Sequence, residues 1–144
     1  MTVRGSRKQR GSAAVEVAVA APLLMLIVLV VVAGGRLELA RGAVQQAAAD
    51  AARSASIART ASEATSTATS AAGATLANQG LRCQPGRVTV DTAGFATSVG
   101  TPAQVAATVS CTVPLADLGL PGLPGSRVVS ATVTSPLDTH RGRR

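Results

Sequence analysis

The residues whose types could support catalysis are few in this chain, and they are not grouped along it. The only histidine, His140, lies near a basic C-terminus, and no serine lies in a recognisable nucleophile motif. Asp91, Asp117 and Asp138 lack the paired spacing that general acid–base catalysis uses. We therefore expect all four to be solvated surface residues, and we predict a protein that is not an enzyme and needs no cofactor.

Glu16 is the acidic residue whose position carries the most information. It precedes a stretch from Val17 to Gly35 that contains no charged residue and is almost entirely aliphatic. A carboxylate in or near hydrocarbon is costly unless it is paired, so an acid at this place is a candidate functional group. Its position alone leaves two interpretations: Glu16 pairs with a cation, or it is solvated among lipid headgroups.

The apolar stretch is long enough to cross a membrane. As a helix, residues 17–35 would be about 28 Å long, close to the roughly 30 Å hydrocarbon core of a bilayer. The leader before Gly11 holds basic residues and no acidic one, whereas the charges at 36–41 nearly balance. The positive-inside rule then predicts a single-pass protein of the cell membrane, with a cytoplasmic N-terminus and an extracytoplasmic C-terminal region.

A secretory signal peptide is an alternative interpretation of the same stretch. Cleavage near Ala33 would release a small secreted protein, and Val31 and Ala33 fit the small-residue rule for such a site. The apolar run, however, exceeds the usual signal-peptide core of roughly 7–15 residues. Glu16 and Pro22 are also left without a role.

The order of residues around Glu16 is typical of a known processing signal. The basic leader ends at Gly11, the small residue Ser12 follows, and Glu16 is the fifth residue after the glycine. This pattern resembles the class III signal of type IV pilins. The resemblance implies that a prepilin peptidase cuts after Gly11 and leaves Ser12 as the N-terminus. It also implies that Glu16 pairs with a terminal amine in the membrane, and that the apolar helix stays as anchor and polymerisation element.

More specifically, residues 10–59 resemble the TadE-like family of minor pseudopilins, which accompany the Tad pilus machinery. The resemblance implies a structural role, with pilin or pseudopilin subunits bound through the membrane helix. The inner-membrane assembly platform and the prepilin peptidase would be further partners. The features that carry the resemblance are Arg10-Gly11, Ala14-Val15-Glu16, Pro22, the aliphatic run and a glycine-rich exit into an Ala-rich helix.

Two residues within this segment need separate comment. Pro22 is expected to kink the membrane helix, because proline removes a backbone hydrogen bond. Val17 stands where pilins of this group often carry an aromatic residue. An uncleaved, membrane-anchored extracytoplasmic binding domain therefore remains an alternative to the pseudopilin interpretation.

Residues 36–80 are predicted to form an Ala-rich extracytoplasmic helix followed by a linker. With the membrane helix they would form a rod from residue 12 to about residue 65, hinged at Gly34-Gly35. Beyond Glu63 the Ser/Thr-rich stretch would be a frayed helix end or linker. A stripe of small side chains could pack on the chain's own sheet or on another subunit. Its members recur every seven residues, at Leu37, Val44, Ala51 and Ala58.

The C-terminal part changes to β-branched residues with partial alternation, broken by Gly and Pro. It predicts three antiparallel strands in a small meander, at 87–91, 104–113 and 127–134. The predicted fold class is therefore α+β, with a membrane helix continuing into an Ala-rich helix and then a small sheet.

Cys83 and Cys111 are the only cysteines, and the predicted topology places both outside the cytoplasm. We expect a disulfide between them that joins the end of the helical region to the sheet. A metal site is disfavoured, because two thiols without a nearby histidine supply too few ligands.

The formal net charge of +7 reflects the two ends of the chain rather than a nucleic-acid interface. Aromatic residues make up only 1% of the chain, which therefore lacks the platforms on which bases stack. We expect a membrane protein with no nucleic-acid partner. The predicted segments are a basic leader (1–11), a transmembrane helix (12–35), the Ala-rich helix and linker (36–80), a small β domain (81–136) and a basic tail (137–144).

Overall fold

The computed structural model describes residues 8–83, 86–118, 124–140 and 142. Most of the predicted basic leader and the arginines of the predicted basic tail lie outside the described residues. The α+β fold class is confirmed. The elements are α1 Lys8–Ile57, α2 Ala61–Asn78, β1 Gly86–Asp91, a short 3-10 helix Ala93–Ala96, β2 Ala103–Pro114 and β3 Ser126–Leu137.

Helix α1 is a single element of 50 residues with two different surfaces. Apart from Glu16, residues 14–32 are apolar, and they are largely exposed, whereas most alanines from Ala40 to Ala55 are buried. The helix passes through Gly34 and Gly35 without a break, so α1 lacks the hinge that the sequence suggests. Each glycine costs a helix about 1 kcal/mol relative to alanine. The good helix formers from Arg36 to Ala40 follow at once, and the helix continues into the part that packs in the core.

The Ser/Thr-rich stretch after Glu63 forms α2 rather than a frayed end or a linker. The hydroxyl of Thr60 accepts a hydrogen bond from the Glu63 N–H at 3.1 Å. The Glu63 carboxylate in turn accepts one from the Arg59 N–H at 3.0 Å. This arrangement is a variant of the capping box, which satisfies N–H groups that a helix start leaves unpaired. The predicted rod therefore ends at Ile57, and a second helix begins.

Helix α2 runs back along α1. The hydroxyl of Thr67 lies 3.5 Å from the Ser54 carbonyl, and that of Thr75 donates to the Asp50 carboxylate at 2.8 Å. Later residues of α2 therefore contact earlier residues of α1, so the two helices are antiparallel. Alanine side chains between them let the two backbones approach closely. The buried residues of α2 are Ala64, Ala68, Ala72 and Leu76.

The three strands form one antiparallel sheet in the order β1-β2-β3. Alternate residues of the central strand β2 face the helices and are buried, namely Val105, Ala107, Val109, Cys111 and Val113. Both helices pack on this face and share one hydrophobic core with the sheet. The small-residue stripe of α1 thus packs within its own chain, the first of the two alternatives. Helices and sheet beyond the apolar half of α1 form one packed unit.

A disulfide joins Cys83, which follows α2, to Cys111 in the central strand β2. The bond closes a loop with a sequence separation of 28 residues, and Cys111 is fully buried. The core around it is made of alanines and valines, with Phe95 as its buried aromatic residue. Small side chains contribute little burial each, so a covalent link between the helical layer and the sheet is a substantial part of the stability of this domain.

Replacing Ala68 with leucine should destabilise the domain, because the side chain of Ala68 is fully buried on the face of α2 that packs in the core. We expect Ala68→Leu to lower the free energy of unfolding by about 1–3 kcal/mol, the usual cost of overpacking. Denaturant unfolding followed by far-UV circular dichroism measures the change. Ala74→Leu is the matched control, since Ala74 is exposed on the same helix. Equal effects of the two substitutions would contradict the observed packing.

Loss of the disulfide should lower the free energy of unfolding by more than the Ala68→Leu substitution does. For a loop of this length the chain-entropy relation gives about 3.5 kcal/mol. We expect both reduction of the wild-type chain and the double variant Cys83→Ala/Cys111→Ala to lower the unfolding midpoint by corresponding amounts. An unfolding midpoint that is the same with and without reductant would show that the bond does not stabilise the fold.

Candidate functional site

The exposed apolar half of α1 is the most unusual surface of the molecule. Val15 and Met25 are 65% and 67% exposed, and the valines and leucines between them are similarly open. Large contiguous apolar surfaces of this kind mark membrane or protein interfaces. Among the described residues, one helix is long and apolar enough to cross a membrane. Its most apolar window has a mean hydropathy of 2.9, and none of that window is buried.

The predicted processing and pairing residues lie together at the start of α1. The backbones of Gly11 and Ser12 are helical, and Glu16 follows Ser12 by one turn. Residues four apart in a helix are neighbours on one face. The Glu16 side chain is exposed, and no ion pair involves it among the side chains described from Ala14 onward. Its carboxylate is therefore open to a cation from outside the described side chains.

Pro22 lies inside α1, and the helix continues on both sides of it. Proline has no N–H, so the carbonyl of Ala18 loses its helical donor. Membrane helices tolerate such a break when neighbouring groups satisfy the freed carbonyl. The kink expected at Pro22 stays a prediction.

The residues considered for catalysis lie at the surface, Asp91 at the end of β1 and the others in the segments that follow β2 and β3. The carboxylates of Asp91 and Asp138 accept hydrogen bonds from the backbone N–H groups of Ala93 and His140, at 3.0 and 2.9 Å. Such bonds are typical of turn-forming aspartates. The His140 side chain is 95% exposed, with its Nδ1 3.8 Å from the Asp138 carboxylate. Asp117 is also exposed. The described part of the chain holds no group of three or more His, Cys, Asp or Glu side chains that could bind a metal.

Sequence reasoning missed two features of the fold. The Thr60-x-x-Glu63 spacing is a signal for a helix start, and it was available in the sequence. The second feature is a group of arginines near the C-terminal end of the apolar segment, and no local sequence pattern indicates it. There the guanidinium of Arg36 donates to the Asp117 carbonyl at 3.2 Å, and Arg36 and Arg82 line the same cavity. Only the fold brings these two arginines together.

Comparison with known proteins bears on the N-terminal part of the chain. Residues 11–53 match the family model described as TadE-like protein. The matched segment begins at Gly11, contains Glu16 and Pro22, and extends into the part of α1 that packs in the core. No curated protein and no solved structure matches the chain significantly. The chain is therefore similar to TadE-like proteins over residues 11–53, and the family resemblance drawn from its sequence is confirmed for that segment.

Proposed function

We propose that the protein is a single-pass component of the cell membrane and acts as a TadE-like minor pseudopilin in the assembly of a Tad-type pilus. Its N-terminus lies in the cytoplasm and its packed domain lies outside. The role is structural rather than catalytic. One observation carries the proposal: the segment that matches the TadE-like family is one unbroken helix, exposed and apolar in its first half and packed in the domain core in its second.

Processing after Gly11 explains the position of Glu16. A new terminal amine at Ser12 would lie one helical turn from the Glu16 carboxylate, about 6 Å along the axis. Within the membrane, an ammonium and a carboxylate that face each other both avoid much of the cost of being unpaired. The amine can belong to the same chain or to a neighbouring subunit, so the pair can select a packed arrangement of helices.

The unbroken helix couples the membrane segment to the external domain. From Ala14 to Ala40 the axis of α1 is about 39 Å long, and no linker interrupts it. Packing of the apolar half against pilin or pseudopilin helices would therefore fix the height and orientation of the domain. The assembly platform would contact the same segment in the membrane, and the prepilin peptidase would contact its start at Gly11.

A cut near Ala33 would have a different consequence. The core residues of α1 begin with the partly buried Leu37 and the buried Ala40, both beyond Ala33. Such a cut would leave the packed domain whole and would remove the entire exposed apolar surface. Retention of that surface in the mature chain is therefore what separates the pseudopilin from a small secreted protein.

The role of Glu16 in pairing can be tested with a neutral substitution. We expect Glu16→Gln to insert in the membrane at the wild-type level, because the apolar segment is unchanged. We also expect it to fail to associate with its partner subunits. Photo-crosslinking from a photoreactive residue at Leu23 measures the association in cells that produce the pilus. The crosslinked adducts should fall at least tenfold, since an unpaired partner of a buried ion pair costs several kcal/mol.

Glu38→Gln is the matched control for this substitution. Glu38 lies on the same helix beyond the apolar segment and pairs with Arg41 at an exposed position. Loss of this surface pair should leave the crosslinks at the wild-type level. Adducts that persist in Glu16→Gln would show that the association does not depend on Glu16, and would contradict its pairing role.

A further inference from the structure

The end of the domain nearest the apolar half of α1 is basic. Arg36 and Arg41 lie on α1 just after Gly35, and the fold brings further arginines to the same end. Arg82 follows α2, which runs back along α1, and it lines a cavity together with Arg36. Arg127 is the second residue of β3 and lines a second groove together with Arg41.

The opposite end of the domain carries charges of both signs. Acidic side chains there are Glu63 at the start of α2, Asp91 at the end of β1 and Asp138 after β3. The arginines described at that end are Arg53 and Arg59, and three more, Arg141, Arg143 and Arg144, follow Asp138 in the sequence. At the basic end, by contrast, the four arginines outnumber Glu38 and Asp117, and Glu38 is already paired with Arg41. The end toward the apolar helix therefore carries a net positive charge among the described residues.

A cleft lies at this positive end, between α1, the segment after α2 and residues 116–118 after β2. We call it the membrane-proximal cleft, and its volume is about 640 Å³. That volume is in the range of pockets that hold small ligands. Its lining combines the exposed cations Arg36 and Arg82 and the exposed Asp117 with apolar side chains, among them Leu39, Ala43 and Leu118.

The position of the cleft along α1 limits what can reach it. Arg36 follows Val32 by one turn of unbroken helix, about 6 Å. The headgroup layer on each side of a bilayer is of similar thickness. Leu39, one turn further, is 75% exposed on the wall of the cleft. If the apolar segment spans a bilayer, the arginines lie where lipid phosphates lie, and Leu39 faces the same layer.

We propose that the membrane-proximal cleft binds the headgroup of an anionic phospholipid. Arg36 and Arg82 contact the phosphate, since guanidinium groups match phosphate oxygens in geometry and charge. Leu39 and the apolar wall pack against the beginning of the acyl chains. A lipid fits this combination better than a free phosphate, which has no apolar part to cover Leu39. The inference rests on the proposed membrane span, and it adds a lipid contact that fixes the domain against the bilayer surface.

A single tryptophan makes the contact measurable, because the chain has no Trp or Tyr of its own. The full-length chain carrying Leu39→Trp is reconstituted in nanodiscs of phosphatidylcholine with increasing phosphatidylglycerol. We expect a blue shift of the emission that grows with phosphatidylglycerol and is quenched by its brominated form. Adding Arg36→Gln and Arg82→Gln should weaken the apparent affinity for phosphatidylglycerol by about 30-fold, the loss expected for two surface cations.

Matched variants separate the site from general charge and from misfolding. Arg53→Gln/Arg59→Gln removes two arginines from the far end and should leave the titration unchanged. Arg36→Lys/Arg82→Lys keeps the charge and should retain most of the phosphatidylglycerol response. Inorganic phosphate added to pure phosphatidylcholine discs should not reproduce the shift. Native mass spectrometry of the wild-type chain should find phosphatidylglycerol retained at a higher ratio than in Arg36→Gln/Arg82→Gln.

The outcomes distinguish this inference from the proposed function. A chain that stays in the bilayer but responds equally to both lipids overturns the lipid site and leaves the membrane span intact. A shift produced by inorganic phosphate alone overturns the assignment to lipid. A chain that does not stay in the bilayer at all overturns both the lipid site and the proposed membrane function.

Discussion

The architecture depends on the continuity of α1. One helix must present an apolar surface to its surroundings over residues 14–32 and a small-residue surface to the domain core from Ala40 onward. The backbone hydrogen bonds of the helix bridge the change between these surfaces, even through Gly34 and Gly35. Because no linker separates the two halves, whatever fixes the apolar half also fixes the domain. A flexible joint at the glycines would remove this coupling.

The domain that α1 carries is stabilised by the close approach of its helices and sheet rather than by the burial of bulky side chains. Alanines such as Ala51 and Ala68 are fully buried between the helices, and valines fill the space above the sheet. Each of these residues removes little apolar area from water. The stability of the domain therefore depends on close packing of the helix and sheet backbones. The Cys83–Cys111 bond joins the helical layer to the sheet and supports that packing. This explains how so small a domain is packed with Phe95 as the aromatic side chain of its core.

Much of this arrangement follows from local sequence patterns. The uncharged run after Glu16 predicts the exposed apolar helix, and β-branched alternation predicts all three strands with an error of a few residues at their ends. The break between α1 and α2 was missed, because alanine-rich sequence on both sides favours helix and no Gly or Pro marks the turn. The sequence signal for the break is the preference of Thr60 for a helix N-cap position, which is weaker evidence than a Gly or Pro would be.

The features that sequence reasoning could not reach depend on contacts between distant residues. Locally, Arg36 and Arg41 are nearly balanced by Glu38, so the flank of the apolar run carries little net charge in the sequence. Arg82 and Arg127 join them only after α2 turns back along α1 and β3 pairs with β2. The positive end of the domain is therefore a property of the fold. For the same reason, only the structure could show whether the small-residue stripe of α1 packs on the chain's own sheet or on another subunit.

The central claim is that the mature protein keeps the exposed half of α1 and begins at the residue after the processing glycine. Intact mass and N-terminal sequencing of the protein isolated from the membranes of producing cells measure this directly. The account predicts a chain that starts at Ser12 and carries a free terminal amine one turn before Glu16. A chain that starts at Gly34 would contradict it, because the apolar half would have been discarded. A chain that starts at Met1 or Thr2 would contradict the pseudopilin role and leave a membrane anchor.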